Sequence, residues 1–168
     1  NIGNWKVDSV LNFAHMFQEA TSFNQDIGRW EVAKAEDFRF MFQEASSFDQ
    51  DLSNWDVSNA IFMDRMFIDA IAFDQDLSEW DVDSVEKMFQ MLNRSGLSLL
   101  NYDSTLIGWA VQDVKSGVKL GAEELIFCEA DSARQSLIDR GWVFVGDSLD
   151  CPVGLFEKKV NKTLVQLY

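Results

Sequence analysis

Aspartates are the residues of this chain whose type and spacing could bind a charged partner. They recur every 25 residues in two series, the first opening with asparagine: Asn24, Asp49 and Asp74, then Asp26, Asp51 and Asp76. Like charges stacked one strand apart repel by roughly 1 kcal/mol per neighbour in water, so something must offset the repulsion. Each carboxylate could accept backbone N–H groups from an adjoining turn or simply stay solvated. The functional alternatives are a bound calcium ion or a basic partner surface.

The common motifs of catalysis and cofactor binding are missing. His15 is the only histidine, and its counterparts in later repeats are Phe40, Arg65 and Gln90, so we interpret it as a surface residue. One histidine supports neither a catalytic triad nor a His-rich metal site. No P-loop, dinucleotide-binding or EF-hand pattern occurs, and the acidic composition alone explains the carboxylate pairs that a glycosidase would need. The sequence predicts that the protein is not an enzyme and has no cofactor, with calcium still possible.

A 25-residue repeat supplies the elements that must position these aspartates. Tryptophan opens each repeat, at Trp5, Trp30, Trp55 and Trp80. A fixed period of this size indicates a solenoid, in which each unit buries its apolar face against its neighbours. The indoles could form a carbohydrate-stacking platform, but one indole per repeat is more simply a buried structural column. Because residues 2–4 are in register with residues 27–29, we expect further repeats upstream.

Each repeat divides into two predicted elements. Apolar residues at steps of three and four, such as Phe13 and Phe17, predict a helix that begins after the N-capping pair Asp8-Ser9. The following segment, Phe23 to Ile27, is predicted to be a short strand with its Phe, Gln and Ile side chains inward and its Asn and Asp outward. Stacked strands lie closer together than stacked helices, so we predict an α/β arc with a concave parallel sheet, convex helices and an inner ladder of glutamine amides.

The 25-residue repeat motif ends at residue 95. An end cap is expected there, because a stack of repeats must cover the apolar face of its last unit. We assign residues 1–95 to the repeats, residues 96–152 to an α/β C-terminal cap and residues 153–168 to a linker ending in a strand-like segment. Helices are predicted over 103–114 and 131–140, the second stopped by Gly141. Short strands are predicted at 118–120, 125–127 and 142–145.

Two cysteines, Cys128 and Cys151, fall in this cap. They could be free core thiols or a disulfide, and we favour the disulfide because the chain looks extracellular. Two cysteines without a nearby histidine cannot form a zinc site.

The net charge of −14 and a pI of about 4.3 exclude several partners. Nucleic acid and anionic lipid are disfavoured because both are bound by clustered Lys and Arg. No apolar run approaches the length of a membrane span, and no secretory signal opens the chain. The acidity leaves cations and basic protein surfaces as possible partners.

The motif MF-x-E-A-x-x-F-N/D-Q-D-I/L-x-x-W-D/E-V, over residues 1 to about 95, closely resembles the repeat of BspA-like leucine-rich-repeat surface proteins of bacteria. The cap stretch from Asn101 to Trp142 is similar to the cap of members from Bacteroidetes. The resemblance implies a right-handed leucine-rich-repeat-like solenoid, secretion or display at the cell surface, and adhesion or partner binding without catalytic residues. The tail resembles the linker before a type IX secretion sorting domain, although the asparagine-flanked prolines of that domain are missing. Asp-Ser pairs such as Asp8-Ser9 also resemble O-glycan acceptors, but helix capping explains them better.

Two functions from different classes remain open. The leading hypothesis is an extracellular recognition module that binds a surface protein or glycan on its concave face, through the six Asn and Asp residues of the two series. Its rival is a rigid spacer within a larger surface adhesin or filament. A hydrolase is a distant third, because no specific motif supports it.

Overall fold

The computed structural model describes residues 2–152. Two helices, α1 (Leu99–Ala110) and α2 (Asp131–Asp139), lie in the second half of the chain with four short strands. The strands are β1 (Lys119–Gly121), β2 (Ile126–Phe127), β3 (Val143–Val145) and β4 (Ser148–Leu149). They form two parallel pairs, β1 with β3 and β2 with β4. The predicted linker at 153–168 lies outside the described residues.

The repeats stack on one another in register. We call residues 5–29, 30–54, 55–79 and 80–95 coils 1 to 4. Single parallel bridges join equivalent positions of successive coils, through Asn12, Asp37, Phe62 and Lys87. Around each bridge, alternate N–H groups of one coil donate to carbonyls of the next, as from Phe13 to Asp37 (N to O, 2.8 Å) and from Phe17 to Met41 (2.9 Å). The period seen in the sequence is therefore the step of the stack.

The helices predicted within the repeats are wrong. Between these inter-coil donors, the intervening N–H groups bond three residues back, for example Met16 to Phe13 (3.2 Å). The third residue of alternate turns adopts left-handed backbone, with φ of 63° at His15 in the turn 13–16 and 58° at Glu19 in the turn 17–20. In this segment, N–H groups that close turns alternate with N–H groups that donate to the next coil. The arrangement places every fourth side chain on the same face, so its apolar residues have the spacing of a helix. The pair Asp8-Ser9 consequently caps no helix.

The strand predicted at Phe23 to Ile27 is also wrong. No backbone bond joins this extended segment to its counterparts in the next coils, within the part of the chain that the structure describes. The inward Phe and Ile/Leu positions are confirmed in the covered coils, where Phe48 and Leu52 are fully buried. The glutamines do not form an inner amide ladder, because Gln50 donates instead to the Asn24 side chain of the preceding coil.

The indoles form the predicted column, apart from its first member. Trp30, Trp55 and Trp80 are buried, and the Nε1 of Trp55 donates to the Ile27 carbonyl (3.1 Å) and that of Trp80 to the Leu52 carbonyl (2.9 Å). Trp5 stacks on Trp30 (ring centroids 6.3 Å apart) but remains 54% exposed, because no described coil covers it. Columns of stacked phenylalanines fill the rest of the core, with centroid spacings of 5.5 to 6.0 Å.

The cap continues the stack at the end of coil 4. Leu120 of β1 bridges Met88, and Leu92 N donates to the Gly121 carbonyl (2.9 Å). Trp109 of α1 extends the indole pattern by donating to the Leu77 carbonyl (3.0 Å). The prediction of α2 is confirmed, including the stop at Gly141 (φ 96°). The helix predicted over 103–114 begins and ends four residues earlier, because Ser98 caps its N-terminus.

A disulfide and buried polar groups hold the cap together. Cys128 and Cys151 are bonded, the pairing that the sequence favoured. Asp103 accepts the backbone N–H groups of residues 128, 129 and 130 (2.9 to 3.2 Å). Asp147 accepts hydrogen bonds from the Tyr102 hydroxyl and from two nitrogens of Arg134. The burial of Tyr102, followed by the negative charge of Asp147, raises the pKa of Tyr102 well above its usual value. None of the helices in residues 2–152 has the length and apolarity needed to cross a membrane.

Candidate functional site

The series Asn24, Asp49 and Asp74 links neighbouring coils. Asn24 Oδ1 accepts Asp49 N (3.0 Å) and Gln50 Nε2 (2.7 Å), and Asp49 Oδ1 accepts Asp74 N and Gln75 Nε2 in the same way. Asp74 Oδ1 makes the equivalent hydrogen bonds to the cap, accepting Ser98 N (2.7 Å) and Asn101 Nδ2 (2.8 Å). These side chains therefore replace the missing backbone ladder of the extended segment, which is a structural use of one oxygen per residue.

The pKa of Asp74 reflects this position. Partial burial by itself would raise the pKa, but the hydrogen bonds from Ser98 and Asn101 outweigh burial and hold it below the usual value. The side chain is therefore an ionised acceptor at neutral pH.

The series Asp26, Asp51 and Asp76 points one carboxylate per coil away from the core. In each, Oδ1 accepts the N–H two residues later, from Gly28 (3.0 Å), Ser53 (2.9 Å) and Ser78 (2.8 Å). These local turns fix the side chain and leave Oδ2 for other contacts. Hydrogen bonds from the Ser53 amide and side chain lower the pKa of Asp51, because they stabilise its charged form. We call these three residues the carboxylate row.

The carboxylate row has the spacing of the stack. Phe23, Phe48 and Phe73 lie in the same segments, with ring centroids 5.6 and 6.0 Å apart. Within residues 2–152, no group of three or more His, Cys, Asp or Glu side chains is arranged to hold a metal ion. The geometry suits a partner that carries several spaced positive or hydrogen-bonding groups, since each carboxylate acts separately.

A second surface feature escaped the sequence analysis. On the bridged segments, cations and aromatic rings alternate from coil to coil: His15 stacks on Phe40 (centroids 4.5 Å), and Arg65 lies over both Phe40 (5.5 Å) and Phe89 (5.8 Å). Lys119 lies over Phe89 (5.1 Å) and Arg39 over Phe62 (5.0 Å), while Lys87 is the bridge partner of Phe62. We name this surface the cation–aromatic stripe and define it by these eight residues: His15, Arg39, Phe40, Phe62, Arg65, Lys87, Phe89 and Lys119.

A signal for the stripe was present in the sequence. The position occupied by His15, Phe40, Arg65 and Gln90 varies among repeats that are otherwise near copies. The helix interpretation placed this position on a solvated outer face, where variation carries no information. In the structure the same position lies on the hydrogen-bonded face, where equivalent residues stack directly.

One carboxyl near the end of the stack, that of Asp83, accepts a backbone hydrogen bond from Asp113 but has one buried oxygen without a donor. Asp83 Oδ1 is buried and receives no hydrogen bond within the described range. Burial raises the pKa of Asp83, and the negative charges of Asp81 and Asp113 raise it further. This is an unfavourable arrangement for an ionised group, and it lies outside both the carboxylate row and the stripe.

With this geometry described, comparison with known proteins places the chain in a family. The family described as "Mycoplasma protein of unknown function, DUF285" matches residues 1–109. The chain belongs to the DUF285 family. The DUF285 match takes in all four coils, the carboxylate row and α1 up to Trp109, whereas β1 to β4 and both cysteines lie beyond it. No curated protein and no solved structure matches the chain.

Proposed function

We propose that the chain is a non-catalytic recognition module of the BspA-like, leucine-rich-repeat type, displayed outside the cell, which binds a protein or glycan partner through the face that carries both aspartate series. Asp26, Asp51 and Asp76 make the contacts, while Asn24, Asp49 and Asp74 hold the coils that present them. The observation that carries the proposal is the carboxylate row, in which every member has one oxygen fixed by a local turn and the other available.

Pre-organisation supports this role. A carboxylate already held by its turn loses little conformational freedom when a partner binds, so more of the contact energy appears as affinity. The net charge of −14 adds a long-range attraction for a basic surface. The disulfide between Cys128 and Cys151 supports an oxidising, extracellular location, because disulfides are rare in reducing compartments.

The test replaces the carboxylate row with amides. Asp26→Asn/Asp51→Asn/Asp76→Asn keeps Oδ1 as an acceptor for each turn, so the melting curve should stay within a few degrees of wild type. Saturable binding on protein and glycan arrays, or attachment to cells, should fall about tenfold or more as three charged contacts are lost. A matched control, Glu31→Gln/Glu36→Gln/Glu79→Gln, removes the same charge from exposed sites elsewhere. Equal attachment by wild type and the row variant would refute the role of this face.

Calcium is tested separately by thermal shift with calcium against chelator. A rise in melting temperature that the row variant lacks would add the ion to the proposal, since a ligand of the folded state stabilises it. An unchanged temperature would remove calcium from it.

A structural spacer is the second candidate, and a specific observation favours it. Hydrogen bonds to Oδ1 join each segment to the next one at Asn24, Asp49 and Asp74. A rigid spacer that bears mechanical force would require such links. A spacer would give no saturable partner on the arrays, and the row variant would then behave as wild type in every binding assay.

A further inference from the structure

We propose that the cation–aromatic stripe is a second interaction surface, which binds an extended acidic segment of a partner protein in which carboxylates alternate with apolar side chains. The stripe shares no residue with the carboxylate row, so this inference goes beyond the proposed function and does not depend on it.

Three neighbouring cations of the stripe form no direct ion pair with a carboxylate among residues 2–152. The ion pairs among residues 2–152 use Arg39, Arg94, Lys115 and Arg134, and none of them uses Arg65, Lys87 or Lys119. The chain has 28 acidic and 14 basic residues, so a basic side chain has many potential partners within its own fold. Arg65 bonds through Nε to the neutral Gln90 side chain (2.8 Å) and keeps its full charge for another contact.

Aromatic rings contact two of these cations, Arg65 and Lys119, and add apolar surface. Phe89 is 38% exposed and lies within 6 Å of both Arg65 and Lys119. Stacking on a ring restricts the long Arg and Lys side chains before a partner arrives, which lowers the entropy lost on binding. Arginine and aromatic residues are also the types enriched at the centres of protein interfaces.

The charge pattern favours a sparse acidic segment over a dense polyanion. Nucleic acid and sulfated glycans need many clustered cations, and the net charge of −14 repels them. The three cations, Arg65 on coil 3, Lys87 on coil 4 and Lys119 on β1, instead match a few carboxylates. The exposed ring of Phe89 matches an apolar side chain between them.

The experiment measures anisotropy of a labelled peptide made of three Glu-Leu-Glu-Gly repeats, with the same peptide carrying Gln for Glu as reference. The Glu peptide should bind the full chain more tightly, and salt should weaken it. Arg65→Gln/Lys87→Gln/Lys119→Gln should weaken binding about tenfold, and Phe89→Ser should also weaken it. The control Lys6→Gln/Arg29→Gln/Lys34→Gln removes the same charge away from the stripe and should bind within about twofold of wild type.

Several results would overturn the proposal. These are equal binding of the Gln peptide, an equal loss in the control triple variant, and tighter binding of heparin with the same dependence on the three cations. Sedimentation can also show that the chain associates with itself through the stripe and binds no peptide. In that case the occupant of the stripe is a second copy of the chain and not an acidic segment. The variant Asp26→Asn/Asp51→Asn/Asp76→Asn should keep full peptide binding, so failure of the stripe and failure of the carboxylate row are distinguishable. Circular-dichroism melting confirms that each variant is folded.

Discussion

Acidic side chains in this fold differ chiefly in what their oxygens accept. Asp103 is buried yet receives three backbone N–H groups, so its burial is compensated. Asp83 has a buried oxygen with no donor in the described range, and it faces the charges of Asp81 and Asp113. Burial of an unpaired polar atom costs stability, so Asp83 marks a weak point.

Asp83→Asn should therefore stabilise the protein at neutral pH. The pKa of Asp83 is raised in the folded state, so folding favours its neutral form. The stability that this contributes is fully present below the pKa of the unfolded state, about 3.9, and is lost as pH rises through the pKa of the folded state. At about pH 7 the amide should add roughly 0.5 kcal/mol, and at about pH 3 it should add nothing. Urea unfolding at both values measures this, with exposed Asp8→Asn as control. A gain that is equal at both pH values would contradict the electrostatic explanation.

At this scale, sequence predicts residue classes better than contacts. The Asp series and the indoles of Trp30, Trp55 and Trp80 follow from the period, and the disulfide was favoured because the chain looked extracellular. The donors to Asp49 and Asp74 could not be predicted, because the amides that they accept belong to the next coil and depend on which segment carries the backbone ladder. The stripe was missed for the same reason.

Within one coil, the bridged segment is built from turns that L-residues rarely adopt. Non-glycine residues occupy left-handed backbone at two positions per coil, including Phe40 (φ 61°) and Glu44 (φ 57°). Such a conformation costs roughly 1–2 kcal/mol per residue, and the inter-coil hydrogen bonds must offset it. Periodicity alone could not separate this arrangement from a helix, because both place every fourth residue on the buried face. In contrast, α2 was predictable, because its apolar face ends at a glycine.

Glycine substitution tests this strain. Glu44→Gly removes the conformational energy of left-handed backbone at this residue, but it increases the backbone entropy lost on folding. The two effects on the free energy of unfolding should roughly cancel. Glu79→Gly, at an exposed position with ordinary φ, incurs only the entropy cost of about 0.5–1 kcal/mol. The first variant should therefore be more stable than the second by about 1 kcal/mol in urea unfolding. Equal stability of the two would show that the backbone at Glu44 is unstrained in solution.

The whole molecule depends on contacts between coils, because no coil has a core of its own. Each covered indole stacks within the column and also donates to a carbonyl 28 residues earlier. The 25-residue period predicted the step between coils, and the loss of the motif after residue 95 comes just before the first helix, which begins at Leu99. The leucine-rich-repeat class and its concave face stay predictions.

Trp55→Phe and Trp5→Phe separate a covered from an uncovered indole. Trp55→Phe removes buried surface and one of the two donors to the Ile27 carbonyl, which keeps the Trp30 N–H (3.0 Å), so it should cost about 2 kcal/mol. Trp5→Phe changes a residue that is 54% exposed and should cost less than about 0.5 kcal/mol. Urea unfolding of the two variants side by side measures the difference. Similar losses would mean that the column contributes little beyond local packing.

Most of the inter-coil hydrogen bonds around the bridges share one direction, and this gives the stack a chemical polarity. Four N–H groups of coil 1 donate to coil 2, and one bond, from Glu36 N to the Leu11 carbonyl (3.0 Å), runs the other way. No described N–H donates to the carbonyls at residues 12, 14, 16 and 18. This edge of coil 1 therefore offers mainly acceptors, and two such edges paired with each other would place oxygen mostly opposite oxygen. Only a segment that presents N–H donors at alternate residues can pair with these carbonyls. Added segments must therefore bind in one orientation, and pairing with an unrelated strand is disfavoured.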